Sequence, residues 1–263
     1  MPAAGASEGG GAQMDAFCGL LVGITSRIRA EIQVGADSAD RGSRPEPPLR
    51  AGDLRVDSDL LQRGLREVAR AAQQCGVVEP DRAAALNRLP LEGVSSGRLI
   101  EAWFDGAAGF DRMCRAFGLD VNLATLAFEA VVKPFAAEAA ARLATESRKA
   151  LDSHGVCPAC GGLPDFAFLE GTSGRRFLVC SRCETSWPFQ RIGCHSCGNL
   201  DPKTLSYSQT DDRAFRVYLC DQCGRYLKAV DFRYSSPATP LFEYRLRSWT
   251  LDRTSMQEGY VST

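Results

Sequence analysis

Eight of the chain's 11 cysteines lie in four C-x-x-C pairs, and these are the residues best suited to chemistry. The pairs are Cys157/Cys160, Cys180/Cys183, Cys194/Cys197 and Cys220/Cys223. A C-x-x-C turn directs two sulfurs at one centre, and two such turns brought together by a hairpin form a tetrahedral thiolate cage. Nineteen residues separate the first two pairs and 22 the last two. We therefore predict two consecutive metal sites.

Other arrangements of the pairs have to be weighed. The second and third pairs are ten residues apart, which leaves open an interleaved site built from the first and third pairs. Disulfides within the pairs would be strained, and they are out of place in a reducing compartment. A redox-active C-x-x-C of the thioredoxin type needs a βαβ setting, and the sequence around the pairs has no such pattern.

The donor set limits both the metal and the chemistry. Four thiolates suit zinc or a single iron, and the abundance of closed four-cysteine zinc sites favours zinc. Four sulfur ligands leave no open coordination position, so the sites are structural or redox rather than hydrolytic. The sequence has two histidines and no phosphate loop or Ser/His/Asp set. We predict no catalytic residues and no enzyme activity.

Residues around the pairs give further expectations. A glycine follows the second cysteine of three pairs (Gly161, Gly198, Gly224), where a metal knuckle needs positive φ. His195, inside the third pair, is expected to be an exposed turn residue, and His154 a linker residue. The remaining cysteines (Cys18, Cys75, Cys114) lie on apolar helical faces and read as core thiols. Trp187-Pro188-Phe189 and Tyr226-Leu227 are expected in a small β core.

Charge and hydropathy restrict the partners and the location. The whole chain has a net charge of −1. Residues 157–234 carry ten Lys/Arg and eight Asp/Glu; eight thiolates with two divalent ions bring this region to −2, a poor match for a phosphate backbone. The apolar stretch Ala16–Ile24 is about half the length needed to cross a bilayer, and the residues before it lack the positive charge of a signal peptide. We expect a cytoplasmic protein with no membrane insertion and no nucleic-acid partner.

The first half has helical periodicity. Residues 1–13 are expected to be disordered and 36–53 to form a loop, with one short helix over Phe17–Ile32 between them. Three further helices are predicted: one beginning at Asp59, one capped by Ser95 or Ser96, and one capped by Asn122 that runs towards Ala150. Pro134 should kink or split the last of these, and Gly118 should end the turn around Phe110–Phe117.

The second half changes to short β segments rich in aromatic and β-branched residues. Six antiparallel strands are predicted, over 166–169, 176–179, 186–191, 205–208, 215–219 and 226–232. The fold class is α plus small β, a helical bundle followed by two zinc-ribbon-like modules. The expected parts are a disordered or loosely helical segment over 1–53, a helical domain over 54–152, ribbon modules over 153–192 and 193–235, and a tail over 236–263 with helical character.

The order of these motifs resembles the formate dehydrogenase accessory proteins of the FdhE type. The matching segments are CPACGG, RRFLVCSRCETSW with Trp187, RIGCHSCGN, Tyr207, RVYLCDQCGRYLKAVDF with Tyr226-Leu227-Lys228, and the tail from Leu251-Asp252 to Glu258-Gly259-Tyr260. They cover about residues 157–260. The helical half carries no diagnostic motif, and it departs from the family in a short, divergent, low-complexity start.

The resemblance implies rubredoxin-like modules that bind two iron ions through the eight cysteines, with zinc as the alternative. It implies a cytoplasmic assembly factor that binds the catalytic subunit of formate dehydrogenase; self-association stays open. Two other hypotheses come from different classes of protein: a zinc-ribbon regulator that binds nucleic acid, and a small rubredoxin-like electron carrier.

Overall fold

The structure, a computed structural model, describes residues 8–32, 48–89, 94–143 and 155–262. These residues form two compact units. A helical unit contains residues 8–32 and 50–139, and a ribbon unit contains residues 48–49, 140–143 and 155–262. The short segment at Leu49 belongs to the ribbon unit because its backbone N–H donates to the carbonyl of Ala159 over 2.9 Å.

Seven α-helices make up the first half of the described chain. They are α1 (Glu8–Glu31), α2 (Ser58–Gln74), α3 (Pro80–Asn87), α4 (Val94–Asp105), α5 (Ala107–Ala116), α6 (Val121–Val131) and α7 (Lys133–Leu143), with a 3-10 turn over Ala51–Asp53.

Helix α1 begins earlier than the sequence predicts. It starts at Glu8, inside the segment expected to be disordered, and it is longer than the predicted helix over Phe17–Ile32. Phe17, Leu21, Ile24 and Ile28, spaced by three and four residues, are all buried. This apolar stripe packs α1 against α2 and α6, and such packing stabilises a helix far beyond its local propensity.

The other helix boundaries follow local chemistry. Pro134 splits the predicted long helix, as expected, and lies in the first turn of α7, where its missing N–H is harmless. Gly118 adopts positive φ just past α5, also as expected. The predicted N-cap of α6 was wrong: the side chain of Asp120, not that of Asn122, accepts a hydrogen bond from the backbone N–H of Leu123. The side chains of Ser95 and Ser96, which were predicted to cap another helix, lie outside the described residues. The end of the predicted long helix, beyond residue 143, also lies outside them.

The core of the helical unit is built around Phe128. The ring of Phe110 meets it edge-on at 4.9 Å between centroids, and the ring of Trp103 lies at 6.4 Å. Nearby, Gly64 of α2 allows close helix packing, since a Cβ there would lie 2.8 Å from Val131 and 2.9 Å from Ile28.

The ribbon unit contains a six-stranded sheet. Its strands are β1 (Pro164–Leu169), β2 (Arg176–Cys180), β3 (Ser186–Phe189), β4 (Leu205–Gln209), β5 (Phe215–Cys220) and β6 (Arg225–Asp231), in the order β3-β2-β1-β6-β5-β4. The two predicted modules are therefore halves of one sheet, joined by β1 and β6. That pairing is parallel, which corrects the prediction of antiparallel strands throughout; only the pairings inside each module are antiparallel.

Two helices follow the sheet and cover one of its faces. They are α8 (Leu241–Arg247) and α9 (Trp249–Gln257), in the tail expected to have helical character. Tyr244 of α8 packs on Phe166, Val179 and Val230 to form the buried core of this layer. Among the described residues, no helix combines the length and the apolar character that a membrane span requires.

Candidate metal centres

The structure places the first and second cysteine pairs together. Cys157 and Cys160 lie in a turn before β1, Cys180 ends β2, and Cys183 lies in the turn before β3. The Sγ–Sγ distances are 3.6 Å for Cys157–Cys183, 3.4 Å for Cys160–Cys180 and 3.5 Å for Cys160–Cys183. All four residues are buried. We call this group the first cluster.

The third and fourth pairs form an equivalent group at the other half of the sheet, the second cluster. Cys194 and Cys197 lie in the turn after β3, Cys220 ends β5, and Cys223 lies in the turn before β6. The Sγ–Sγ distances are 3.7 Å for Cys194–Cys223 and 3.8 Å for Cys197–Cys220. Here Cys197 is exposed and Cys223 half-buried. The structure thus pairs neighbours in sequence rather than interleaving the first and third pairs.

The sulfur positions fit a tetrahedral metal ion. A metal–sulfur distance of about 2.3 Å requires Sγ–Sγ edges of about 3.8 Å, close to the 3.4–3.8 Å observed. A disulfide would need about 2.05 Å, and all of these cysteines are free. Each cluster can therefore hold one metal ion in an all-sulfur site, which suits zinc or iron and leaves no ligand position open.

The turns around the cysteines have the backbone of metal knuckles. Gly161, Gly198 and Gly224 adopt φ of 70°, 72° and 66°, as their positions predicted. Each donates its N–H to the carbonyl of the first cysteine of its pair, over 2.8–3.1 Å. The second pair makes the same turn without glycine, since Glu184 takes φ of 56° there. Such a conformation is costly for a side chain, so other contacts must stabilise it.

Those contacts come from Arg245 of α8. Its guanidinium lies 2.8 Å from the Asp165 carboxylate and 3.4 Å from the Glu184 carboxylate, and it donates to the Cys180 carbonyl over 3.0 Å. The side chain is buried, so both ion pairs act with little screening. Arg245 thus connects the tail to the backbone of the first cluster. Sequence reasoning missed it because its partners are 61 to 80 residues away.

A different element of the tail holds the second cluster. Tyr260–Ser262, which we call the C-terminal clasp, lies alongside the fourth knuckle. Val261 donates to the Gly224 carbonyl over 2.9 Å and accepts from the Tyr226 N–H over 3.1 Å. The Tyr260 hydroxyl donates to the Asp221 carboxylate, between the two cysteines of the pair, over 2.5 Å. The clasp therefore fixes the turn that carries Cys220 and Cys223.

The motif Tyr226-Leu227-Lys228 is structural. Tyr226 and Leu227 are buried, as is Trp187, which agrees with the core placement predicted from sequence. The Tyr226 hydroxyl and the Lys228 ammonium both donate to Asp252 of α9, over 2.8 Å and 2.6 Å. This network holds α9 on β6, and its spacing of more than 20 residues explains why the sequence alone did not reveal it.

Hydrogen bonds to sulfur supplement the cages. In the first cluster, backbone N–H groups of Gly162 and Arg182 donate to Cys160 and Cys180, both over 3.4 Å. In the second, the Ser196 N–H donates to Cys194 over 3.3 Å. Such donors stabilise thiolate over thiol, as a bound cation requires.

The thiols of each cluster have divergent pKa values because they share protons at short range. Hydrogen bonds to Cys160 and Cys180, with burial, raise the pKa of Cys157. Burial disfavours the Cys180 thiolate, yet hydrogen bonds from Cys157 and Cys160 lower its pKa. In the second cluster burial acts against Cys220, but the Cys223 backbone and the Asn199 amide help lower its pKa to about 7. A cation would displace the remaining protons, so binding releases them.

His195 is not the exposed residue that we expected. It is buried, and desolvation, followed by the charges of Arg176 and Arg225, lowers its pKa to about 4. Gly155 packs closely against the backbone of His195, since a Cβ at Gly155 would lie 1.8 Å from the His195 carbonyl oxygen. The equally buried Arg176 donates to the carbonyls of Gln190 and Gly193 over 2.7 Å and 2.8 Å. The link between the two clusters is therefore tightly packed.

The remaining candidates keep structural roles. Cys18 and Cys114 are buried in the helical unit, and burial raises the pKa of the Cys114 thiol to about 11. Cys75 is half-buried at the end of α2. His154 lies outside the described residues. None of these cysteines joins either cluster.

The part of the chain that contains the first cluster matches known proteins. Residues 156–191 match the family model described as FdhE, central domain. A protein FdhE homolog of Aquifex aeolicus is 33% identical over 109 residues, 40% of this chain and 38% of that protein. Protein FdhE of Escherichia coli O1:K1 is 35% identical over 109 residues, 40% of this chain and 34% of that protein. The matched part spans little more than a third of each relative.

The fold agrees over a greater length. The crystal structure of the FdhE protein from Pseudomonas aeruginosa superposes with a TM-score of 0.56, covering 95% of this chain and 91% of that one at 20% identity. At that identity the superposition shows a shared fold. The family model, the curated relatives and the shared fold all support the resemblance of this chain to FdhE-type proteins.

Proposed function

We propose that this chain is a cytoplasmic assembly factor for formate dehydrogenase, and that it binds the catalytic subunit through a scaffold held by two metal ions. The observation that carries the proposal is the pair of four-cysteine clusters, the first of which lies within the residues that match the FdhE central domain. We assign the eight cysteines as the ligands. A filled four-sulfur site offers no position for substrate, so the ions shape a surface instead of performing hydrolysis.

A second function is favoured by one observation. The exposed Cys197 would bring an iron ion of the second cluster close to solvent, as electron transfer requires, so a rubredoxin-like electron carrier is the alternative. Iron would supply a one-electron couple there and zinc would supply none. The resemblance to FdhE proteins favours iron, whereas the frequency of closed zinc sites favours zinc.

The function is tested by gene deletion and complementation. Deletion should abolish formate dehydrogenase activity, and the wild-type gene should restore it. Cys160→Ser should fail to restore it, because the first cluster loses a ligand. Cys75→Ser is the matched control, since Cys75 belongs to neither cluster. Unchanged dehydrogenase activity in the deletion strain would refute the proposal.

A binding measurement separates the two functions. The purified, metal-loaded chain should retain the dehydrogenase catalytic subunit in a pull-down and should bind it without any added electron donor. Metal analysis and the visible spectrum identify the ion, since a ferric tetrathiolate is red and a zinc site colourless. A reversible one-electron couple, together with no retention of the subunit, would favour the electron carrier.

A further inference from the structure

One buried cation of the ribbon unit has no carboxylate partner. The buried Lys and Arg side chains of the described residues are those of Lys133, Arg176, Lys228 and Arg245. All but Arg176 form an ion pair, and the carboxylates that they meet are those of Glu129, Asp252 and Asp165. Arg176 is 3% exposed, yet no carboxylate of a described residue lies within ion-pairing distance of it. An unpaired buried charge is costly, so another negative group is expected nearby.

The groups that contact Arg176 compensate its charge only in part. One terminal nitrogen donates to the carbonyls of Gln190 and Gly193, over 2.7 Å and 2.8 Å. The ring centroids of Phe189 and Tyr218 lie 5.0 Å and 4.6 Å from its Cζ. Its Nε is buried and has no hydrogen-bond partner. Carbonyl dipoles and aromatic rings stabilise a cation less than a full negative charge does.

These contacts place the guanidinium beside the second cluster. Gly193 directly precedes Cys194, and Tyr218 lies two residues before Cys220. Burial lowers the pKa of Arg176, and the negative charges of Tyr218 and of the Cys194 thiolate oppose that shift. Four thiolates around one divalent ion leave two negative charges in excess. The loaded second cluster therefore supplies the negative charge that Arg176 lacks.

The strand that carries Arg176 also carries a ligand of the other site. Strand β2 begins at Arg176 and ends at Cys180, which belongs to the first cluster. Because five residues of extended chain separate these two functions, a metal ion that fixes Cys180 also helps to fix the start of the strand. The two clusters are thus connected through one short element of the sheet.

We propose that Arg176 is a positioning residue of the second metal site, where its guanidinium balances the negative charge of the loaded cluster and retains the ion. The cysteines bind the metal, and Arg176 acts through the electrostatic field that it adds to them. A cation at this place favours the more negative form of the site, so it favours a divalent ion over a trivalent one. This inference rests on the eight ligands assigned above and not on the binding of a dehydrogenase.

The rate of metal release tests whether the charge retains the ion. Arg176→Met removes the charge and keeps a long apolar side chain, so zinc should leave the second cluster for excess chelator about tenfold faster. Arg176→Lys keeps the charge and should restore most of the retention. Arg175→Met is the matched control, because it removes the same charge from the neighbouring exposed side chain. Release from Arg176→Met at the wild-type rate would overturn the proposal.

The reduction potential of the iron-loaded chain separates charge from packing. A ferrous tetrathiolate carries one more negative charge than a ferric one, so a nearby cation stabilises the reduced site. Arg176→Met should therefore lower the potential of the second iron, by about 59 mV for a tenfold effect on a one-electron couple. A cluster that merely loosened would admit water and shift the potential upward, since water also stabilises the more highly charged form.

Two further variants complete the titration. Cys223→Ser identifies the transition of the second iron, because that transition should be missing from it. Arg176→Gln is neutral but keeps an N–H donor, so it should lower the potential as Arg176→Met does and gives the measurement if Arg176→Met does not fold. An unchanged or higher potential in the neutral variants would overturn the proposal. A lowered potential in a chain that fails to retain the dehydrogenase subunit would support this inference and refute only the proposed function.

Discussion

The two four-cysteine clusters have the same ligands and similar sulfur spacing but different surroundings. The first is buried throughout and tied to α8 by Arg245, whereas the second exposes Cys197 and is held by the C-terminal clasp. A metal ion in the first cluster is shielded on all sides, and one in the second has a route to solvent. The comparison suggests that ligand identity sets which metal binds, and that the surrounding protein sets how firmly it stays.

The largest difference should appear when one ligand is removed from each cluster. Cys180→Ser removes a fully buried sulfur at the end of β2, so we expect the first ion to be lost and the ribbon unit to unfold, since structural zinc supplies on the order of 10 kcal/mol of folding free energy. Cys223→Ser should lower the metal content from about two ions per chain to about one and leave the sheet folded. Metal analysis and far-UV circular dichroism measure both effects.

The matched control for both variants is Cys75→Ser, which should retain its full metal content. An equal loss of metal and of folded structure in Cys180→Ser and Cys223→Ser would show that the two clusters contribute equally to the stability of the ribbon unit.

The next largest effect is expected on the stability of the protein when Arg245 is replaced. Arg245→Met keeps the apolar contacts but leaves the carboxylates of Asp165 and Glu184 without their cation, so we expect a loss of about 3–5 kcal/mol, as for other broken buried pairs. Thermal unfolding of the metal-loaded protein measures it. Arg247→Met is the control, since the Arg247 side chain is 62% exposed and forms an ion pair with Glu243 in its own helix. A similar fall in stability for both variants would deny Arg245 a special role.

The rates at which a chelator removes the two metal ions compare how accessible the two clusters are. With excess chelator, release of the two ions should be biphasic, and the fast phase should be at least ~10-fold faster, because an attacking ligand can reach Cys197 but none of the buried first cluster. Colorimetric detection of released zinc gives the rates. Cys223→Ser should lack the fast phase. A single phase accounting for both ions would contradict the difference in access.

The smallest effect should come from the clasp. Tyr260→Phe removes one hydroxyl from Asp221 and should speed release from the second cluster about threefold, in line with one lost hydrogen bond of ~0.7 kcal/mol. The slow phase from the first cluster should not change. Thr254→Val serves as the control, because the exposed Thr254 hydroxyl donates to the Thr250 carbonyl within α9. Equal acceleration of both phases would indicate general loosening of the fold.

The sequence predicted correctly those features of the structure that depend on residues near one another in the chain. The C-x-x-C spacing predicted which cysteines meet, the knuckle glycines predicted positive φ, and Pro134 predicted a helix break. Each of these depends on residues close together in the chain.

Features that depend on distant contacts escaped prediction. The parallel pairing of β1 with β6 joins residues about 60 positions apart, and no strand pattern encodes it. Glu184 replaces a knuckle glycine because Arg245 stabilises it from another element. His195 is buried, and Gly155, 40 positions earlier in the chain, lies against its backbone. Helix α1 extends to Glu8 because its apolar stripe finds partners on α2 and α6.

The parallel pairing of β1 and β6 also fixes an order of events during synthesis. Phe166 pairs with Lys228, and at about 5–20 residues per second the ribosome needs about 3–12 s to make the chain between them. Every cysteine of the first cluster is translated before β6 exists. The nascent chain can therefore capture its first ion while the centre of the sheet is still missing. Metal supply during translation then decides whether the finished sheet closes around a loaded cage or an empty one.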